Sequence, residues 1–394
     1  MITSATTTMV TLTITKKVPS AISKPPEREP CEMELKTPIK SSTASNILPA
    51  FVSLTDINND NRPDIIVANY DAGNVGIFFN APGSYFREQI TYSTGPSSGP
   101  EYISVVDVND DNKPDIIVAN NLGNSVGVLL NKGSGQFHAV KHYKTGPSTF
   151  PSGVAVVDIN TDTKPDIIVT NQFLNTIGVF LNIGDGQFSF YKIYQVPHDF
   201  AVRCPQVVDV NGDTHPDIIV ANSRAASIGI FYNSGDGTFT NWTTFSTGFD
   251  SQPNSVSVID VNGDNKPDLI VGNIGTSNVG VLLNAGNGKF LNQTTYPTGL
   301  NSQPRSVFVA DINCDNKPDI IVANSIIIVP NSNDGNIGIF LNSGNGTFQP
   351  QKPYPTGLST NPWSISVGDV NDDNKPDIIF SDTGQHNIGI FIRS

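Results

Sequence analysis

The chain has 394 residues, of which 37% are apolar, enough to build a core and to exclude disorder throughout. Asp and Glu outnumber Lys and Arg by 36 to 23, giving a net charge of −13, so phosphate backbones and anionic lipid would repel it and neither nucleic-acid binding nor electrostatic membrane docking is expected. Three cysteines, Cys31, Cys204 and Cys314, cannot all pair and are too few for a disulfide framework, and no apolar run approaches the roughly 18 residues that suggest a membrane span.

Met1 to Lys17 lacks the basic start and continuous apolar stretch of a secretory signal. Residues 1–30, rich in Thr, Ser and Pro, read as a disordered leader. Residues 31–394 read as one repeat assembly, because a single phrase recurs seven times, beginning at Asp56, Asp107, Asp158, Asp209, Asp260, Asp311 and Asp369. The first five intervals are 51 residues and the last is 58, the extra seven lying around Ser325 to Asn331.

Each unit runs as an apolar stretch, D-x-N-x-D-x-x-P-D, I-I-V-A-N, a Gly/Asn-rich link, V/I-G-V/I-F/L-L-N, then G-x-G-x-F and a polar stretch ending in Tyr and Thr-Gly. β-Branched and aromatic runs bounded by Gly, Asn and Pro predict four strands per unit; in the second unit they are Tyr102 to Val106, Asp115 to Ala119, Ser125 to Leu130 and Phe137 to Tyr143. No segment has helical periodicity. Seven four-stranded units predict an all-β fold, a seven-bladed β-propeller with four antiparallel strands per blade and the first two strands innermost.

The seventh unit stops at Ser394 after its third strand, Asn387 to Ile392. In other units the Phe of the fourth strand lies 21 residues before the next Asp, and 21 before Asp56 is Leu35. The stretch from Met33 to Ser42 is therefore expected to complete the last blade by pairing at the N-terminal end of the chain, which leaves no edge open. Met33 and Ile39 fit the Phe-to-Tyr spacing better than Leu35 and Ser41, so the register stays open. The alternative is a chain whose true last strand lay beyond Ser394.

The chemical signal is the loop between the first two strands, with Asp, Asn, Asp and Asp at positions 1, 3, 5 and 9. The seven sets are Asp56, Asn58, Asp60, Asp64; Asp107, Asn109, Asp111, Asp115; Asp158, Asn160, Asp162, Asp166; Asp209, Asn211, Asp213, Asp217; Asp260, Asn262, Asp264, Asp268; Asp311, Asn313, Asp315, Asp319; and Asp369, Asn371, Asp373, Asp377. They hold 21 of the 36 acidic residues, too many for Asx-turns alone. Carboxylates about 4 Å apart repel by roughly 4 kcal/mol per pair at an effective dielectric near 20, so something must offset the crowding. Hard oxygens at alternate positions, with the position-7 carbonyl turned inward, suit Ca²⁺ better than Mg²⁺. Up to seven structural Ca²⁺ ions would bring 14 positive charges against −13. An EF-hand is excluded, since position 12 is Val67 in the first copy rather than Glu.

These units resemble FG-GAP (VCBS-type) repeats, as in the propeller of integrin α subunits, on the D-x-N-x-D-x-x-P-D loop and the G-x-G-x-F turn over about residues 33–394. The resemblance implies calcium in the loop of each blade on one face of the disc and ligand recognition on the other. Here all seven copies keep the loop, and no stalk or membrane segment accompanies them, so a transmembrane integrin subunit is not implied.

The five histidines, His138, His142, His198, His215 and His386, show no metal-ligand or triad pattern, and no G-x-S-x-G, H-E-x-x-H or P-loop occurs, so an enzyme is not expected. Loops on the face opposite the acidic ones carry Tyr70, Tyr102, Phe150, Phe200, Arg203, Arg224, Phe249, Arg305, Trp363 and His386; aromatic and Arg residues favour binding hot spots, which makes this rim the candidate ligand surface. The function expected is a calcium-binding extracellular recognition or adhesion module for a protein or glycan. Alternatives are a propeller attached to a secreted lyase, dehydratase or phospholipase, and a lectin. Secretion follows from affinity, since extracellular calcium modules bind at about 10⁻⁴–10⁻³ M. Sequons at Asn241, Asn292 and Asn345 are compatible with that compartment.

Overall fold

The structure, a computed structural model, describes residues 35, 39–42, 47–82, 85–197, 201–326 and 335–393. The leader, Met33, Phe200 and His198 lie outside them, as does most of the seven-residue insertion. Seven four-stranded antiparallel sheets form a seven-bladed β-propeller. In blade 1 the strands are Pro49–Thr55, Asp64–Asn69, Asn74–Phe78 and Ile90–Ser93, innermost first.

The expected second strand is the most deeply buried, all six residues of Asp64–Asn69 and of Asp115–Asn120 being covered. Its continuous apolar run is what a strand covered on both faces requires. Seven apolar clusters hold the disc together, each drawn from two adjacent blades. Ile66, Val75 and Ile77 of blade 1, for example, pack with Ile103, Ile116 and Leu129 of blade 2. The aromatic residues of the repeat clamp the same boundary further out. Tyr92 meets Phe137 at 5.0 Å, Tyr143 meets Phe188 at 5.5 Å and Tyr194 meets Phe239 at 5.4 Å, each edge to face. The Tyr92 hydroxyl also donates to the Gly135 carbonyl at 2.8 Å. Gly135 has φ of +69°, and a Cβ there would collide with the Phe79 ring, so the second glycine of G-x-G-x-F must stay glycine for two reasons.

The fourth strand differs from its expected form in blades 1, 2, 5 and 6. In blade 2 it divides into Gln136–Phe137, which pairs back onto Asn131–Gly133, and Lys141–Lys144, which pairs with the third strand. Blades 3 and 4 keep it whole, as Gln187–Gln195 and Phe239–Ser246. There β-branched and aromatic residues run through the middle, where blade 2 has His138, Ala139 and Val140.

The ring closes at the N-terminal end of the chain. Ile39–Ser42 pairs antiparallel with Asn387–Phe391, Ile39 facing Ile390 and Ser42 facing Asn387. Leu35 bridges Arg393 as Phe137 faces Asn131 in blade 2. The count of 21 residues thus decides the register, and Leu35 packs into the cluster containing Tyr354 and Phe391. No helix among the described residues is long and apolar enough to cross a membrane.

Candidate functional site

Each acidic loop turns through left-handed residues at positions 4 and 6, Asn59 (φ 61°) and Asn61 (φ 65°) in the first copy, which suits the Asn, Asp and Gly at most of these positions but not Thr161, Thr163, Thr214 and Cys314. The four sequence-singled residues divide the work. Asp56 at position 1 accepts the backbone N–H of Asp60 at 2.9 Å and of Asn61 at 2.6 Å. Asp60 at position 5 accepts the Arg62 N–H at 3.0 Å. Asn109 at position 3 of the second loop accepts the Asp111 N–H at 3.2 Å, whereas the buried Oδ1 of Asn58 has no partner.

Position 9 is a latch that ties the second strand to the acidic loop and to the segment after the third strand. Asp64 is fully buried, with Oδ2 accepting the Ile57 N–H at 3.2 Å and Oδ1 accepting the Asn80 N–H at 2.8 Å. Asp115, Asp166, Asp217, Asp268, Asp319 and Asp377 repeat both bonds. Burial, opposed by those N–H donors and reinforced by the other two Asp of the loop, raises the Asp64 carboxyl to about 6 and that of Asp319 to about 7.

Part of the carboxylate crowding is offset within the loop. The position-7 side chain pairs with the position-5 Asp in five loops, at 2.8 Å for Arg62 and Asp60 and 2.9 Å for Lys113 and Asp111. Sequence reading assigned position 7 only its carbonyl. Among the described residues, no group of three or more Asp, Glu, His or Cys side chains converges into a ready metal cage. The donor set of the first loop nonetheless fits Ca²⁺ in kind: all hard oxygen, with each Asp56 oxygen accepting one N–H and Asn58 Oδ1 buried without a partner, whereas Oδ1 of Asp209 and of Asp260 each accept three N–H groups.

On the opposite face the rim residues separate into three places. Phe150 pairs with Phe173, centroids 5.5 Å apart. Arg224 and the exposed Phe249 line a shallow groove with Asp250 and Gln252. Tyr102, Arg203, Arg305 and Trp363 come together at the mouth of the central channel, around a cavity of about 240 Å³ lined by the innermost strands of all seven blades. Tyr70 reaches it indirectly. Its hydroxyl donates to Asn121 Oδ1 at 3.1 Å, and Asn121 Nδ2 donates to Glu101 Oε2 at 2.6 Å.

The mouth is built from one repeat position, occupied by Ala50, Glu101, Ser152, Arg203, Asn254, Arg305 and Trp363. In six blades this residue is skipped by, or adjoins, a register shift in the first strand, as Glu101 is between the pairs Pro100–Asn120 and Tyr102–Ala119. In blade 4 the shift follows Arg203. Bulges of this kind re-aim a side chain, here at the strand end farthest from the acidic loop. Glu101 and Asn254 were missed by sequence reading. The signal that locates them is the proline before the bulge, Pro100 and Pro253, recurring at the repeat period.

Arg203 Nη1 lies 3.7 Å from Glu101 Oε1. Arg305 stacks on the Trp363 ring at 4.2 Å and donates from Nη2 to Gln303 Oε1 at 2.8 Å, while Asn254 Nδ2 holds the Arg305 carbonyl at 2.7 Å. Burial raises Glu101 to about 7, with Arg203 pulling the other way, and lowers Arg305 to about 10 with help from Arg203. Burial also keeps Tyr102 and Cys204 neutral, the thiol pushed up to about 11.

Comparison with known proteins fits this geometry. The FG-GAP-like repeat model matches at residues 56–118, 107–169, 158–220, 209–271, 260–322 and 325–380. No curated protein matches the chain. Among solved structures, virginiamycin B lyase from Staphylococcus aureus is 17% identical over 91% of this chain and 99% of its own, with a TM-score of 0.63. BBS1N in complex with ARL6DN is 13% identical over 91% and 97%, with a TM-score of 0.60. An Agrocybe aegerita lectin that recognises non-reducing terminal N-acetylglucosamine is 18% identical over 86% of each chain, with a TM-score of 0.55. At such identities these likenesses show the propeller fold alone. The repeat model covers most of the chain, and its successive matches share the acidic loop and the strands around it: this protein belongs to the FG-GAP repeat family.

Proposed function

We propose that this propeller is a non-catalytic, calcium-stabilised recognition module of the extracellular space, taking a protein or glycan on the face opposite its acidic loops. One contrast carries the reading. The loop face repeats the same Asp-Asn-Asp-Asp set seven times, whereas the channel mouth places seven side chains of six kinds at one repeat position. Uniformity at equivalent sites serves the scaffold; variety at equivalent sites makes an asymmetric surface, and aromatic and Arg side chains within it are the anchors of binding. The similar propellers BBS1N, in complex with ARL6DN, and the Agrocybe aegerita lectin, which recognises N-acetylglucosamine, are in keeping with either class of ligand.

Calcium is supported by the oxygen-only donor set and its spacing, and the compartment by the millimolar affinities usual for extracellular calcium modules. The test is glycan-array and cell-surface binding by the full chain, in calcium and in EDTA. Binding that calcium sustains and that Trp363→Ala weakens supports the reading. Absence of any ligand on both arrays, or binding unchanged by Trp363→Ala and Arg305→Gln alike, contradicts it.

A further inference from the structure

We propose that the channel mouth is a subsite for one acidic sugar unit, with the sugar carboxylate held by Arg305; the inference rests on the recognition reading above and names the ligand class. Charge is the first argument. Only Glu101, Arg203 and Arg305 among the residues lining the cavity are charged, leaving a local charge of +1 with Glu101 ionised and +2 with it protonated, in a chain whose net charge is −13. Arg203 is matched by Glu101, but no carboxylate among the described residues pairs with Arg305, and its Nε has no hydrogen-bond partner. A half-buried guanidinium without a counter-ion gains from an anion in the same cavity, and a carboxylate presents two acceptors to its planar donors.

The rest of the wall favours a sugar. Ser53, Gln206 and Ser306 line the same space, offering hydroxyl and amide groups to a polyhydroxylated ring, while Ser152, Ser364 and Asn254 in its wall are bonded to Val202, Val52 and Arg305. Phe51 and Tyr102, packed at a tilt with centroids 3.9 Å apart, supply an apolar side to the same cavity. Its volume of about 240 Å³ is below the 300–1,000 Å³ typical of drug-sized ligands, which fits one monosaccharide unit rather than a longer chain. The bulge at the Arg305 position fixes the orientation: Arg305 is the residue passed over between the pairs Pro304–Asn324 and Ser306–Ala323, and it is braced by Trp363, Gln303 and Asn254.

The test is calorimetric titration of the full chain with D-glucuronate, D-glucose, acetate and sulfate. Glucuronate is expected to bind at least tenfold tighter than the other three, and Arg305→Gln to weaken it at least tenfold while leaving the melting temperature near that of the parent. If Arg305→Gln misfolds, the comparison of the four ligands on the unaltered protein decides alone. Glucuronate binding no tighter than glucose overturns the role of the carboxylate, and acetate or sulfate binding as tightly overturns the sugar. A ligand found on the arrays that binds Arg305→Gln undiminished overturns this subsite and leaves the recognition reading standing.

Discussion

Asn80 donates its side-chain amide to the carbonyl of Val370 at 3.0 Å, although 290 positions separate them. The bond joins blade 1 to the acidic loop of blade 7, and five further blades repeat it on the loop of the blade before, as Asn131 does on Ile57 at 2.8 Å. Asn131 Nδ2 also donates to Pro114 at 2.9 Å, and its Oδ1 accepts from Gly133 at 2.8 Å. Asn131→Ala strands these buried groups, each costing about 1–3 kcal/mol when unmet. Urea denaturation is expected to show a loss of about 2–4 kcal/mol, and a loss below about 0.5 kcal/mol would contradict the role of this amide.

The aromatic clamps predict a graded series. The Tyr194 hydroxyl accepts the Phe239 N–H at 3.1 Å, yet blade 4 uses Phe245, which has no hydroxyl, against Phe290 at 5.0 Å. Tyr194→Phe is therefore expected to cost about 1 kcal/mol or less and Tyr194→Ala about 3–5 kcal/mol. Equal losses in the two variants would show that the ring contact contributes little.

Closure predicts an effect of removing residues 31–44. Without them Asn387–Phe391 keeps Asp377–Asp382 on one side but loses its outer partner and becomes an open edge, and the cluster around Tyr354 and Phe391 loses Leu35. The truncated chain is expected to melt several degrees lower and to aggregate more readily. A melting curve like the parent's would refute closure through this strand.

Glu101 predicts a pH dependence. Its carboxyl, raised from an ordinary 4.5 to about 7 by burial, contributes stability that is present below pH 4.5 and is lost as pH rises through about 7. The side chain is 20% exposed, so water tempers the effect. Between pH 5 and 8 the parent should lose more stability than Glu101→Gln. Parallel melting profiles for the two proteins would show that Glu101 is ionised throughout.

Much of the fold was legible because every unit faces the same packing problem: the period, the two-sided burial of I-I-V-A-N and the Tyr and Phe clamps recur together. The closing register was less plain. Aromatic spacing pointed to Met33 and Ile39, but the pairing of Leu35 with Arg393 keeps the offset of other blades, and the Arg393 N–H is fixed to Asp377 at 2.8 Å as Asn131 is to Asp115. The position-7 ion pairs and the latch at position 9 were hidden because residue type does not reveal which oxygen faces which N–H. Three of the seven residues at the mouth position, Arg203, Arg305 and Trp363, were found from their residue type; Glu101 and Asn254 were not, since the mouth is defined by bulge position rather than by residue type.

The most direct test of the account is a calcium titration of chelator-treated protein, followed by calorimetry and by melting temperature. Saturable uptake of several equivalents, up to seven, with a melting temperature that rises by many degrees and falls again in EDTA, is the predicted result. No uptake and one melting curve in calcium and in EDTA would contradict it, leaving the hydrogen bonds and Lys or Arg pairs of the loops as the whole answer to their crowded carboxylates.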